Sequence, residues 1–282
     1  MRLFTFAAGL LLFLIAPLRA ADTSSPPPPG YALVWSDDFK SDPDGLPDPK
    51  KWIYEAGFVR NQESQFYTTA RPENARVEHG QLIIEARKED YPYSVASGPG
   101  IAHYTSAALE TYAKADWLYG RIEVRAKLPA GKGVWPAIWM LGSNISQPGF
   151  GWPKCGEIDI MELVGKEPGV IYGTLHWADS NGKLASSGQH VTLDHPESDF
   201  HVYAADWTPD ALDLSVDGHV YNHFLVEKAT DHGWNPFRQR QYLLLNLALG
   251  GNWGGAIDDS IFPQRMVVDY VRVYQKTTVS SE

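Results

Sequence analysis

Three acids stand close together in an otherwise apolar run, Glu157-Ile158-Asp159-Ile160-Met161-Glu162, with Gly156 before it and Leu163-Val164 after it. A carboxylate in such surroundings is costly unless it is paired, bound to metal or put to chemical use. Side chains alternate along a regular strand, so positions 157 and 159 share one face and 162 falls on the other. One extra residue, a β-bulge at Ile160-Met161, brings all three to the same face, and bulges are common beside active sites. Paired carboxylates flanking a scissile bond are the equipment of a glycosidase. One attacks the anomeric carbon; the other, kept protonated, gives its proton to the leaving oxygen. Retention of configuration needs the carboxyls about 5–5.5 Å apart. With the bulge, Glu157 and Glu162 are separated by four pleat steps, on the order of 13 Å on a flat strand. A curved strand seen from its concave side, with two long Glu side chains, closes that gap. Asp159 between them hydrogen-bonds or repels its neighbours, and crowded like charges push pKa values apart so that one acid keeps its proton at neutral pH. Two plainer readings stand beside this one. Three carboxylates can bind Ca²⁺, although such ligands usually lie on loops among backbone carbonyls. A solvated strand face is the other, and it would carry Thr, Lys or Arg mixed among the acids.

The run resembles the signature of glycoside hydrolase family 16 in its bulged form, Glu-x-Asp-x-x-Glu, and it is not alone. Trp35-Ser36-Asp37-Asp38-Phe39 resembles the opening strand of that family. Asn61-Gln62-Glu63-Ser64-Gln65-Phe66-Tyr67-Thr68 and Arg71-Pro72-Glu73-Asn74 resemble its laminarinase-like branch. So do Tyr119-Gly120-Arg121-Ile122-Glu123, the segment Gly133-Val134-Trp135-Pro136-Ala137-Ile138-Trp139-Met140, and Gly173-Thr174-Leu175-His176-Trp177. Asn246-Leu247-Ala248-Leu249-Gly250-Gly251-Asn252-Trp253 and the closing Val268-Asp269-Tyr270-Val271-Arg272-Val273-Tyr274 complete a likeness spanning residues 31–276. The resemblance implies a retaining endo-β-1,3-glucanase on a concanavalin A-like β-sandwich jelly roll with a concave substrate cleft. Glu157 would be the nucleophile, Glu162 the acid and then the base, and Asp159 the residue that tunes and orients the nucleophile. A sugar acceptor that outcompeted water would turn hydrolysis into transglycosylation. A non-catalytic β-1,3-glucan-binding protein on the same fold is the alternative from another class, though all three acids are present. Mixed-linkage β-1,3-1,4-glucan and algal galactans are alternative substrates.

Other residues follow from this frame. Flat aromatics bury the apolar faces of sugar rings while hydroxyls bond at the rim. Trp135 and Trp139 are expected to line the cleft, and Trp253, after a glycine-rich loop, to stack on substrate. Trp35, Trp52 and Trp207 are assigned to the core or its edges. His176 is expected beside the acids or a sugar hydroxyl. Asn61 and Glu63 are candidates for binding hydroxyls, and Arg121 is a further one, against a solvated face as the alternative. Asn246 must satisfy its amide in the cleft or in a neighbouring loop. A structural Ca²⁺ is implied on the convex side, held by Asp38 or its neighbour near the first strand, the Gly80 carbonyl and Asp269. Its alternative is a salt bridge from Asp269 to Arg272 or Arg265.

The elements that must position these groups read as strands. Arg121–Lys127 alternates charged with small or apolar residues, the pattern of a half-exposed strand. Asp213–Val216, the Asp217-Gly218 turn and His219–Tyr221 form a tight hairpin. Further strands are expected at 81–86, 202–207 and 266–274, and Tyr242–Leu249, apolar on both faces, belongs inside a sheet. There is no long amphipathic helix and no internal repeat, which means a sandwich or barrel.

The ends of the chain and its charge bound the function. Residues 1–20 have the basic start, apolar stretch and small-residue end of a secretory leader and are too short for a membrane span. Residues 21–30 are a proline-rich linker, 31–276 the catalytic domain and 277–282 a tail. Export without a membrane span, secreted or periplasmic, and a monomer are expected. The single Cys155 cannot form an internal disulfide and reads as a small buried residue. The formal charge is −10; without Arg2 and Arg19 there are 22 basic against 34 acidic residues, or −12. That balance argues against nucleic acid and mildly against anionic polysaccharides, leaving a neutral β-glucan as the simplest partner.

Overall fold

The computed structural model describes residues 27–40, 44–96 and 98–277. The expected leader, most of the proline-rich linker and nearly all of the tail lie outside these residues.

Two sheets hold nearly all the regular structure. One runs, in spatial order, through Leu184–Thr192, Val170–Ala178, Glu157–Leu163, Val134–Gly142, Gln241–Leu249, Ala108–Glu110 and Ile53–Tyr54, paired antiparallel. The other runs through His219–Leu225, Ala211–Val216, His201–Trp207, Gly120–Lys127, Gln264–Lys276, Gln81–Val95 and Gly98–Ser106, and ends on Phe66–Tyr67. Tyr31–Asp37 adds to Gln264–Lys276, and Ala75–Glu78 to Gln81–Val95.

Alternation sets the faces. On Gly120–Lys127, Ile122, Val124 and Ala126 are fully buried while Arg121, Arg125 and Lys127 are half-buried. The inward residues of both sheets meet in one core that includes Ile158, Ile160, Met161, Leu175, Tyr203 and Val271. Val134–Gly142 and Gln241–Leu249 are buried throughout. Each lies inside its sheet, and residues such as Trp139 and Tyr242 form a second apolar layer on the face away from the core. That doubled layer is why both strands read as apolar on both sides. The hairpin expected at Asp217-Gly218 is present, with both residues at positive φ (49° and 79°) as a tight turn between right-twisting strands requires.

Candidate active site

The acid-bearing strand is bulged where the spacing demands it. Asp159 pairs with Thr174 and Glu162 with Tyr172, so Ile160 and Met161 oppose Gly173 alone. Against the other neighbour the register slips likewise, Asp159 facing Trp139 and Met161 facing Ile138. The consequence is a clean division of faces. Ile158, Ile160, Met161 and Leu163 enter the core, while Glu157, Asp159 and Glu162 all line a cleft of about 440 Å³ on the opposite face.

A bulge leaves backbone groups without their ladder partners. Here the carbonyl of Ile160 accepts a hydrogen bond from the Tyr221 hydroxyl at 2.6 Å, reaching across from the other sheet. Gly173, opposite the bulge, makes room: a Cβ there would lie 2.5 Å from that hydroxyl.

The acids have different surroundings. Glu157 Oε2 accepts from Trp152 Nε1 at 2.6 Å, and Glu162 Oε1 from Trp135 Nε1 at 2.9 Å. Asp159 is 2 % exposed. Its carboxyl is raised well above the usual range by burial, then by the charge of Glu157 and a hydrogen bond to it. Glu162 is also raised well above its ordinary value, by burial first and the nearby Asp159 next, with the Trp135 hydrogen bond pulling the other way. His176 pairs with Glu157 across the strands, and its Nε2 lies 3.2 Å from Asp159 Oδ2. Ligand atoms of Glu157, Asp159 and His176 lie within 4.8 Å of one another and could hold a cation. They are also the groups a glycosidic reaction would use.

The donors around the acids form a connected wall. Trp139 Nε1 donates to Asn246 Oδ1 at 2.7 Å, and Asn246 Nδ2 to the Tyr67 hydroxyl at 2.9 Å. Glu63 accepts from Gln65 Nε2 at 2.7 Å and from Asn61 Nδ2 at 3.1 Å. Burial raises the Glu63 carboxyl, and these hydrogen bonds oppose the rise. Asn61, Glu63, Trp135, Trp139 and Asn246 all line the cleft.

Some placements differ from expectation. Trp253 is not among the residues that line the 440 Å³ cavity. It stands edge-on to Trp135 (centroids 5.4 Å, 89°) and to Tyr172 (5.0 Å, 71°), and so supports the tryptophan that holds Glu162. Arg121 belongs to the other sheet, on its outer face, where it pairs with Glu123 at 2.6 Å and with Asp206. Alternation identified its face but not its sheet, and Arg121 is removed from the substrate-binding set. At the implied Ca²⁺ position, the Asp269 carboxylate accepts from Arg125 Nη1 at 2.8 Å. Asp38 caps the Lys40 amide at 3.2 Å, and Lys40 packs on Gly80, where a Cβ would meet its Cγ at 3.2 Å. A carboxylate already paired with a guanidinium lacks the free oxygens that Ca²⁺ takes. As placed, Asp269 is committed to Arg125, and a Ca²⁺ there would have to displace that guanidinium.

Residues that the sequence did not single out also build the site. Trp152 holds Glu157 from the loop just before the acid strand. Arg60 lies over the Trp139 ring at 4.8 Å and pairs with Glu55. Leu141, Ile145 and Tyr242 complete the apolar lining. Trp152 lies five residues before Glu157, and its indole was the available signal.

The profile of glycosyl hydrolases family 16 matches residues 62–272. The chain belongs to that family. A β-glucanase of Rhodothermus marinus is 47 % identical over 277 residues, 95 % of this chain and 93 % of the relative. The crystal structure of the laminarinase from Rhodothermus marinus superposes with a TM-score of 0.77 at 46 % identity, covering 88 % of this chain and 98 % of that one. A mutant of a non-specific endo-β-1,3(4)-glucanase of the same family, co-crystallised with 1,3-β-D-cellotriosyl-glucose and presenting a 1,3-β-D-cellobiosyl-glucose at its active site, gives a TM-score of 0.80 at 46 % identity, over 89 % and 97 % of the two chains. The jelly-roll β-sandwich and the glycoside hydrolase assignment thus stand on the family as well as on the geometry.

Proposed function

We propose that this protein is a retaining endo-glycosidase that hydrolyses internal β-1,3-glucosidic bonds of laminarin-type β-glucans. The observation that carries the proposal is the bulge, which brings Glu157, Asp159 and Glu162 to one cleft face among tryptophan donors. The names of the relatives support the β-glucan as substrate.

In the first step a Glu157 oxygen attacks the anomeric carbon while Glu162 gives its proton to the departing glycosidic oxygen. The raised carboxyl of Glu162 suits a group that must carry that proton at neutral pH. In the second step Glu162, now ionised, takes a proton from water, and that water displaces Glu157 from the glycosyl-enzyme. Asp159 orients Glu157 and disperses the charge it gains or loses. The site needs no redox cofactor for this chemistry. A neutral polysaccharide suits the formal charge of −10. Export and a monomeric state belong to the same proposal; among the described residues no helix is long and apolar enough to cross a membrane.

The test is reducing-sugar release from laminarin, curdlan, lichenan, agarose and carrageenan, with Glu157→Gln run beside the parent. Release from laminarin and curdlan that disappears in the variant is expected. Release from a galactan alone would keep the mechanism and replace the substrate. Laminarin binding without release from any polymer would move the chain to the binding class. Full activity in Glu157→Gln would remove Glu157 as nucleophile.

A further inference from the structure

A cluster of aromatic rings stands at the edge of the cleft without a role in the chemistry above. Phe58 is 51 % exposed and Val59 40 %, and they immediately precede Arg60 and Asn61; Val59, Arg60 and Asn61 all line the cleft. Phe58 is held edge-on by two rings, Phe66 at 5.5 Å (88°) and Tyr93 at 5.6 Å (80°). Those two are themselves stacked, 5.0 Å apart at 21°. Tyr93 belongs to the hairpin of Gln81–Val95 and Gly98–Ser106, where it pairs with Gly100. A Cβ at Gly100 would lie 2.4 Å from the Tyr93 hydroxyl, so the glycine is what lets the ring lie across the hairpin. Two residues on, by strand alternation on the same face, Val95 is 41 % exposed.

Exposed apolar groups gathered in a patch call for a partner. This patch is not a loose collection. Its base is stacked, with Phe66 buried and Tyr93 half-buried, its outermost ring is fixed before any ligand arrives, and it is continuous with a cleft wall. Flat, preorganised aromatics with few charges match the apolar face of a neutral sugar ring. We infer that Phe58, Val59, Tyr93 and Val95 form a second contact surface for the β-glucan chain, gripping sugar units that extend beyond the cleft. This rests on the glucan reading above. The surface would favour long chains over short ones, since a trisaccharide filling the cleft meets Val59 at its rim but not Phe58, Tyr93 or Val95, which lie outside the lining.

The experiment uses full-length protein in the Glu157→Gln background, so that binding is measured without turnover. Affinity for laminarin polymer and for a β-1,3-linked glucotriose is compared before and after Phe58→Ala. One lost aromatic contact should weaken polymer binding about tenfold and leave trisaccharide binding unchanged. Phe58→Tyr should bind the polymer like the parent. If Phe58→Ala unfolds, Val95→Asp, at an exposed position of the hairpin that takes no part in the ring stacking, gives the same comparison. Equal weakening of both ligands, or of neither, overturns the inference. Wild-type turnover of laminarin, measured in parallel, separates the two claims: its absence removes the glucan reading and this occupant with it, while its presence with unchanged polymer affinity in the variants removes the second surface alone.

Discussion

At the residue scale, the division of labour between Glu157 and Glu162 makes Glu162→Gln more informative than a simple loss of activity. A neutral amide cannot donate the proton, and general acid catalysis contributes roughly 10²–10⁴-fold. Laminarin hydrolysis should fall by that order. An aryl glycoside whose leaving group departs without a proton should lose much less at the glycosylation step, and equal loss on both would sink the assignment. The pH dependence has a definite sign. Glu162 and Asp159 both hold their protons more tightly in the folded protein than in the unfolded chain. Their contribution to stability is therefore fully present below the unfolded carboxyl value of about 4, and it is lost as the pH rises through each folded value. Activity should decline on the alkaline side as Glu162 ionises. Asp159→Asn should flatten the alkaline fall in melting temperature relative to the parent, and a parallel pair of curves would contradict this account of burial. Cys155 does not enter: it is buried, and its thiol is pushed up to about 11, chiefly by burial.

At the element scale, the bulge is the device on which the site depends, and Tyr221 is what closes it. Tyr221→Phe removes the hydroxyl from the Ile160 carbonyl and leaves a buried acceptor unpaired, a cost of about 1–3 kcal/mol. Because the loosened peptide lies between Asp159 and Glu162, kcat should fall more than KM rises, with a lower melting temperature. A variant that lost stability while keeping parental kcat would show that the bulge holds its shape without Tyr221. The bulge itself was legible in the spacing, because three acids separated by one and then two residues share a face only if the strand carries an extra residue. Tyr221 was not legible. It arrives from a strand 61 residues further along, and its own neighbours carry only a hairpin pattern. Trp152 was missed for a similar reason, since a loop tryptophan shows nothing of where its indole points. The error at Arg121 has a different origin. A period of two separates the faces of a strand, yet the strand at 120–127 sits between His201–Trp207 and Gln264–Lys276, pairings made by distant parts of the chain.

At the scale of the whole molecule, the sandwich buries one sheet on both faces, on one against the core and on the other under the cleft's aromatic layer. This is how carboxylates come to lie in surroundings apolar enough to hold protons while remaining open to a polymer. The field of the molecule bears on the substrate. With a formal charge of −10, long-range electrostatics repel an anionic polysaccharide and ignore a neutral one. Added salt screens exposed charges beyond about 10 Å at 0.1 M. For a neutral β-glucan, kcat/KM should therefore stay nearly flat as salt is raised from about 0.01 M to about 0.5 M, a span over which the screening length shrinks severalfold. For a sulfated galactan the same titration should raise kcat/KM, because screening relieves repulsion during approach. Measuring the slope on laminarin and on carrageenan, at a pH where Glu162 stays protonated, makes net charge a readout of substrate class. A rise with salt on the preferred polymer would point to an anionic substrate, and it would do so without any change in the assignment of the catalytic acids.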